Sequence, residues 1–294
     1  MKIADKKILV TGASGLVGSQ LCRELVADND VWGLASFRNP EKRSEIEDLG
    51  VNVIARDVSK ESIDDLPTDF DIVFHQLVIL YESDVDPQKT VDVNTYFTGR
   101  LIDHCRDMGH LVMASTGGVY RASLDYDKET DAPGPVGWYA TSKLGMEHLG
   151  TYLCQKHEIP AVILRYYWPY GKEQGRVTRM MKSIVKGEKI QISSTQEDRY
   201  QPIHITDLSY LTMRALMVTS QDVPVYNMAG PEEVTWKEMA LLIGQELGVE
   251  PQFEESTEAR LSHLADLSRL YTDIGKPKVG IKEGIHRVRL DLGF

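Results

Sequence analysis

Lys7-Ile8-Leu9-Val10-Thr11-Gly12-Ala13-Ser14-Gly15-Leu16-Val17-Gly18 is the stretch whose reading decides the fold. Its first five residues read as a strand buried on both faces. Glycines then follow at 12, 15 and 18, and an amphipathic pattern over 15–28 reads as a helix. Strand, glycine turn and helix in that order make a phosphate cradle. Gly12 permits the tight turn, Gly15 the close approach of a pyrophosphate, and Gly18 close packing of helix on strand. The helix N-terminus offers the phosphates its unpaired N–H groups and the positive end of its dipole. A tight turn without a ligand is the bland alternative; the strand–turn–helix setting favours the cradle.

Outward from this stretch, apolar bursts alternate with helical patterns. Strand-like segments fall at 30–36, 51–56, 70–74, 110–114 and 161–165. Helical patterns fall between them at 41–49, 88–108 and 138–157. Apolar strands separated by helices imply a parallel sheet covered on both faces, an α/β doubly wound architecture of Rossmann type. Beyond residue 171 the alternation loosens into helices at 176–187, 207–219 and 235–247. Short strands lie near 190–193, 202–205 and 224–228. The expected organisation is a dinucleotide-binding domain over 1–171, with further core strands near 202–228. Segments 172–200 and 230–294 are expected to form a smaller C-terminal substrate lobe.

The chain has 294 residues and a net charge of −11. That charge argues against a nucleic-acid partner, although a local basic pocket can still hold an anionic small molecule. Three scattered cysteines without C-x-x-C spacing point to reduced, buried thiols and to no metal site. No apolar run approaches the roughly 20 residues that span a bilayer. The first residues carry no apolar leader core, so the cytoplasm is the expected location.

Trp138-Tyr139-Ala140-Thr141-Ser142-Lys143 places a tyrosine and a lysine four apart, on one face of a helix. A free tyrosine titrates near 10 and is a poor acid/base at neutral pH. A neighbouring ammonium stabilises the phenolate; a lowering of about three pKa units requires roughly 4 kcal/mol. Upstream, the strand at 110–114 runs into Ser115-Thr116-Gly117-Gly118-Val119-Tyr120, which brings hydroxyls to a strand end.

These motifs together resemble the extended short-chain dehydrogenase/reductase family, the NAD-dependent epimerase/dehydratase group. The likeness extends through Leu164-Arg165-Tyr166-Tyr167 with Tyr170-Gly171, Ile203-His204-Ile205-Thr206-Asp207-Leu208 and Tyr226-Asn227-Met228-Ala229-Gly230. It implies catalytic roles for Thr116, Tyr139 and Lys143, with Thr116 aligning the substrate oxygen. Cofactor contacts are implied at Gly12, Ser14, Gly15, Leu16 and Val17, and at Asp57 and Val58 beside the adenine. Further contacts are implied at Leu77, Asn94, Tyr139, Lys143 and Tyr166. For Asn94 a buried hydrogen-bonding role is an equal alternative, and for His75 a structural role is the expected one. Substrate contacts are implied at Tyr81, Thr116, Trp168, Arg176 and Tyr200. The resemblance also implies a homodimer through the helices at 88–108 and 137–157.

Departures from the family pattern shape the expected chemistry. The second strand ends Ser36-Phe37-Arg38 without the carboxylate that selects NAD. Ser36 and Arg38 suit a 2′-phosphate, assisted by Lys42 or Arg43, so NADP is favoured over NAD. Arg38 as a solvated cation stacking on adenine is the alternative. Gly117 and Gly118 stand where dehydratases carry Asp-Glu, so water loss lacks its acid and base. Trp168 and Tyr200 replace polar contacts to a diphosphate, which suggests an apolar or aromatic small-molecule substrate. The leading expectation is therefore NAD(P)-dependent interconversion of an alcohol and a carbonyl. A nucleotide-sugar epimerase working through a transient ketone is one alternative, and a non-catalytic NADP-binding redox sensor is another.

Overall fold

Seven parallel strands carry the molecule: β1 (Lys7–Thr11), β2 (Asp30–Ala35), β3 (Asn52–Ala55), β4 (Ile72–His75), β5 (His110–Thr116), β6 (Ala161–Tyr166) and β7 (Val225–Met228). The computed structural model describes residues 2–80, 83–172, 175–195, 198–257 and 262–294. The strand order is β7-β6-β5-β4-β1-β2-β3. The chain moves outward from β1 to β3, then returns to the other side of β1 through β4. A crevice therefore opens at the carboxyl ends of β1 and β4, where ligands bind in open parallel sheets.

The uniform apolar runs follow from this burial. Ile8, Leu9 and Val10 are fully buried, as are all four residues of β4. Leu21, Cys22 and Leu25 of α1 (Leu16–Leu25) cover one face. Phe97, Leu101 and Ile102 of α4 (Phe97–His104) cover the other, together with Met146 and Leu153 of α5 (Gly137–Lys156). Helix α2 (Pro40–Asp48) sits at the β3 edge, and α7 (Ile205–Arg214) packs beside α1. A third apolar cluster joins α6 (Arg176–Val185), α8 (Trp236–Leu247) and α10 (Ile281–Leu292) around Met181, Met239, Ile243 and Ile285.

Two details differ from the sequence reading. The helix expected over 88–108 is α3 (Pro87–Val91), a π turn over Asp92–Tyr96, and then α4. The π turn, a feature common at functional sites, carries Asn94 and Thr95 into contact with α5. Residues 264–274, expected in the small lobe, pack instead on the main sheet. Leu267, Leu270 and Ile274 belong to its core, and α9 (Ser268–Asp273) lies against β7. The three cysteines are buried free thiols. Among the described residues, no helix is long and apolar enough to cross a membrane.

One buried ion pair fastens α5 to the sheet. Arg165 of β6 donates to both oxygens of Glu147 on α5, at 3.0 and 2.6 Å, and Ser115 of β5 donates to the same carboxylate. Arg165 also donates to the Tyr120 hydroxyl, which in turn donates to Asn227. Removing one partner of such a pair strands the other charge in the interior. Arg165→Ala should therefore cost roughly 3–5 kcal/mol in chemical denaturation, and Glu147→Leu combined with Arg165→Leu clearly less. A loss below about 1 kcal/mol for Arg165→Ala would show that the pair carries no such weight.

Candidate active site

The crevice holds a cavity of about 930 Å³. At one end stands the glycine turn. Gly12 has φ 72°, and a Cβ there would press to 2.9 Å against the backbone of Gln76 and Leu77. A Cβ on Gly18 would lie 2.2 Å from the Gly12 carbonyl oxygen, so this glycine lets α1 sit on its own turn. Gly15 caps α1 without any side-chain hydrogen bond to the helix N-terminus. Among the described residues no side chain caps the first N–H groups of α1, and Ser14, Leu16 and Val17 line the cavity beside them. A backbone cradle with its helix dipole aimed into it fits a dinucleotide's pyrophosphate.

Thr11 and His75 brace this turn from beneath. The Thr11 hydroxyl meets His75 Nδ1 at 2.7 Å and accepts from the backbone N–H groups of Gln76 and Leu77. His75 Nε2 meets the Thr98 hydroxyl at 2.8 Å. Burial pushes the imidazole pKa down to about 3, aided by the charge of Lys143. His75 is a structural strut.

Ser36, Arg38, Asp57 and Val58, expected beside the adenosine, line the same cavity. Phe37, buried between the exposed Ser36 and Arg38, holds a left-handed backbone (φ 43°). The Arg38 guanidinium lies 4.0 Å from the Asp57 carboxylate. Asp57 accepts from the Ser59 hydroxyl at 2.6 Å and from its backbone N–H, and the hydroxyl bond leads the causes that lower its pKa. Lys42 and Arg43, expected to assist there, pair along α2 with Glu45 and Glu47, at 2.9 and 2.8 Å.

Thr116, Tyr139 and Lys143 converge on the middle of the cavity, with Leu77 and Tyr166 beside them. Thr116 ends β5 in extended backbone, its hydroxyl accepting from the Gly118 N–H. Tyr139 and Lys143 share a face of α5. Lys143 is only 2% exposed, and burial pushes its pKa down to about 8 against the opposing pull of Glu147. The segment that carries them is clamped by the π turn. Asn94 donates to the Ser142 hydroxyl at 3.0 Å, and Thr95 donates to the Ser142 carbonyl at 2.7 Å. Asn94 is fully buried and also grips the backbone of Ile79 through both ends of its amide. The structure thus places Asn94 behind the wall as a brace, in keeping with its buried alternative.

At the far end, Trp168, Tyr200 and Trp236 form an aromatic corner. Trp168 meets Tyr200 edge-on at 4.8 Å, and Tyr200 meets Trp236 at 5.6 Å. The Arg176 guanidinium stacks 4.3 Å from the Trp168 ring. Trp168 has φ 51°, a strained conformation for a bulky residue and one that gathers at functional sites. Tyr81 lies outside the described residues. Sequence reasoning missed several residues of the wall: Arg56, Gln76, Lys89, Arg179, Trp236 and His263. Arg179 was within reach, since it lies one helical turn from Arg176 on the same face. Trp236 and His263 come from distant segments and carried no motif.

Residues 8–229 match the family described as the NAD dependent epimerase/dehydratase family. An uncharacterized UDP-glucose epimerase of Bacillus subtilis is 30% identical over 185 residues, 57% of this chain and 58% of that protein. The UDP-glucuronic acid 4-epimerase of Bacillus cereus, solved with UDP-glucuronic acid and NAD, is 25% identical with a TM-score of 0.88, over 97% of this chain and 98% of that one. The Thermus thermophilus UDP-glucose 4-epimerase, solved with NAD, is also 25% identical, with a TM-score of 0.85 over 97% and 98% of the two chains.

The buried Lys143 has a cost in stability. The folded protein holds a proton there less tightly than the unfolded chain, whose lysines titrate near 10.4. The charged form therefore opposes folding in full below about pH 8, and the penalty fades as the pH rises towards 10.4. Lys143→Met should be at least as stable as the parent at pH 7, by up to roughly 3 kcal/mol, with the gap closing above pH 8. Thermal unfolding across pH 6–10 checks this. A variant less stable at every pH would contradict it.

Proposed function

The chain belongs to the NAD dependent epimerase/dehydratase family, and on that premise we propose that it interconverts the C4 epimers of a nucleotide sugar with NAD as cofactor. The observation that carries the reading is one cavity with three parts. The phosphate cradle stands at one end, Thr116, Tyr139 and Lys143 in the middle, and Arg176 and Arg179 with the aromatic corner at the other. Two guanidinium groups beside stacked rings suit an aromatic base joined to a diphosphate. This replaces the apolar substrate expected from Trp168 and Tyr200 alone. We take the unit of α6, α8 and α10 as the substrate lobe.

NAD, when bound, supplies a hydride acceptor that later returns the hydride. The protein's own part is to move the proton and hold the sugar. The Thr116 hydroxyl hydrogen-bonds the reacting oxygen and aligns it with Tyr139. Tyr139 takes the hydroxyl proton as the alcohol becomes a ketone and returns it when the ketone is reduced. The Lys143 ammonium stabilises the phenolate between these events. Re-reduction on the opposite face of the ketone gives the epimer. Dehydration is disfavoured, because Gly117 and Gly118 carry no acid or base. The ring of Tyr167 would stand 2.5 Å from any Cβ at position 117.

NAD is favoured over NADP by the surroundings of Arg38. The Asp57 carboxylate lines the cavity beside it and would face a 2′-phosphate across a short gap. The relatives solved with a dinucleotide hold NAD, which supports the same choice. A homodimer through the α3–α4 segment and α5 is supported by Tyr96 of the π turn and Tyr152 of α5, which are 60% and 62% exposed. Sedimentation at micromolar concentration should then give twice the chain mass of 33.1 kDa, and the mass of a single chain would refute it.

With NAD present, the protein should convert UDP-glucose or UDP-glucuronic acid to its C4 epimer. Tyr139→Phe should lower turnover by about 10²-fold or more while leaving NAD affinity unchanged. Full activity in that variant would remove Tyr139 from the mechanism. Binding of NADPH more tightly than NADH would return the cofactor choice to NADP.

A further inference from the structure

A second polar cluster reaches the cavity from a part of the chain that the chemistry above does not use. His263 lines the wall yet is only 8% exposed. It precedes Leu264–Ala265, which pairs in parallel with Tyr126–Asp127. That pairing holds its backbone against the loop that follows Thr116. Among the described residues the buried Nδ1 edge of the ring has no hydrogen-bond partner, and it lies 3.9 Å from Asp127 Oδ2. The same carboxylate oxygen accepts from the Tyr167 hydroxyl at 3.1 Å. Tyr167 is the ring that fills the space above Gly117, next to Thr116. His263 therefore borders the middle of the cavity, on the side of Thr116.

A buried imidazole with an unsatisfied nitrogen calls for an explanation. The carboxylate stands just beyond hydrogen-bond reach of Nδ1, and the residue itself lines the cavity. Hydrogen bonds of this kind are often long in a ligand-free site and tighten around the substrate. We propose that His263, backed by Asp127, is a substrate-binding residue that hydrogen-bonds an oxygen of the sugar beside Thr116. The proposal rests on the nucleotide-sugar reading above. With the proton on Nδ1 facing Asp127, Nε2 accepts from a sugar hydroxyl; as an imidazolium it donates to a sugar carboxylate. The cluster thus reads the sugar itself, while the nucleotide is held elsewhere.

The test compares His263→Leu with the parent protein in the presence of NAD, with UDP-glucose and UDP-glucuronic acid as probes. KM should rise roughly tenfold or more, with kcat changed by less than about threefold and NAD affinity unchanged. His263→Gln, which keeps a hydrogen-bonding end, should recover part of the loss. A rise confined to UDP-glucuronic acid assigns His263 to a carboxylate, and an equal rise with both assigns it to a hydroxyl; either supports the proposal. Should His263→Leu fail to fold, Asp127→Asn reads the same change, because it keeps an acceptor for Tyr167 while removing the charge behind the imidazole. KM values within about twofold of the parent for both sugars would overturn the proposal and leave the epimerase reading standing. So would a KM rise matched by an equal loss of NAD affinity, which marks a structural role. If the parent protein handles neither sugar, the epimerase reading falls and this inference falls with it.

Discussion

The Glu147–Arg165 pair is the constraint on which the arrangement of the reacting groups depends. It is buried at both partners and joined by Ser115, so it ties α5 to β5 and β6. Tyr139 and Lys143 reach the cavity from α5, while Thr116 ends β5 and Tyr166 ends β6. A helix free to slide by an ångström would separate the phenol from the hydroxyl it must work with, and such misplacement is costly in rate. From above, the π turn fixes the same helix through Asn94 and Thr95. The carboxylate of Glu147 also lies one helical turn from Lys143 and keeps part of its affinity for a proton. One ion pair thus serves both the geometry and the charge of the site.

Much of this was legible in the chain because the constraints are local. Gly12, Gly15 and Gly18 lie within one strand–turn–helix unit, and their spacing follows from how closely backbone must approach backbone. The strands at 7–11, 72–75, 110–116 and 161–166 announce themselves because both sheet faces are covered, which makes them largely apolar apart from partnered groups such as Thr11, His75, Ser115 and Arg165. Helical periodicity puts Tyr139 and Lys143 on one face, and the family resemblance implies their roles. The π turn could not be read in this way, since one extra residue in a helix has no signature in residue type. Nor could the placement of residues 264–274, whose apolar pattern fits either core equally well.

The substrate side was harder to read because its wall is assembled from segments far apart in sequence. Trp168 and Tyr200 looked like the loss of polar contacts when each was weighed alone. In the fold Trp168, packed on Tyr200, shelves the Arg176 guanidinium, and Arg179 stands a turn away. The same limit applied at the adenosine end. Arg38, Lys42 and Arg43 read as a cationic cluster along the chain. In three dimensions Lys42 and Arg43 face the carboxylates of their own helix, and Arg38 looks toward Asp57. Charge read from sequence is a census, whereas specificity depends on which charges face the ligand.

The central claim is that the protein removes and returns a hydride at one sugar carbon with no net oxidation. Epimerisation of UDP-glucose or UDP-glucuronic acid with NAD in deuterated water, followed by mass spectrometry of the product sugar, tests it most directly. The account predicts an epimer without carbon-bound deuterium and no accumulation of reduced cofactor. Deuterium on the sugar carbon would point to proton abstraction from carbon, and reduced cofactor building up in step with product would point to a dehydrogenase. Either result would contradict the account.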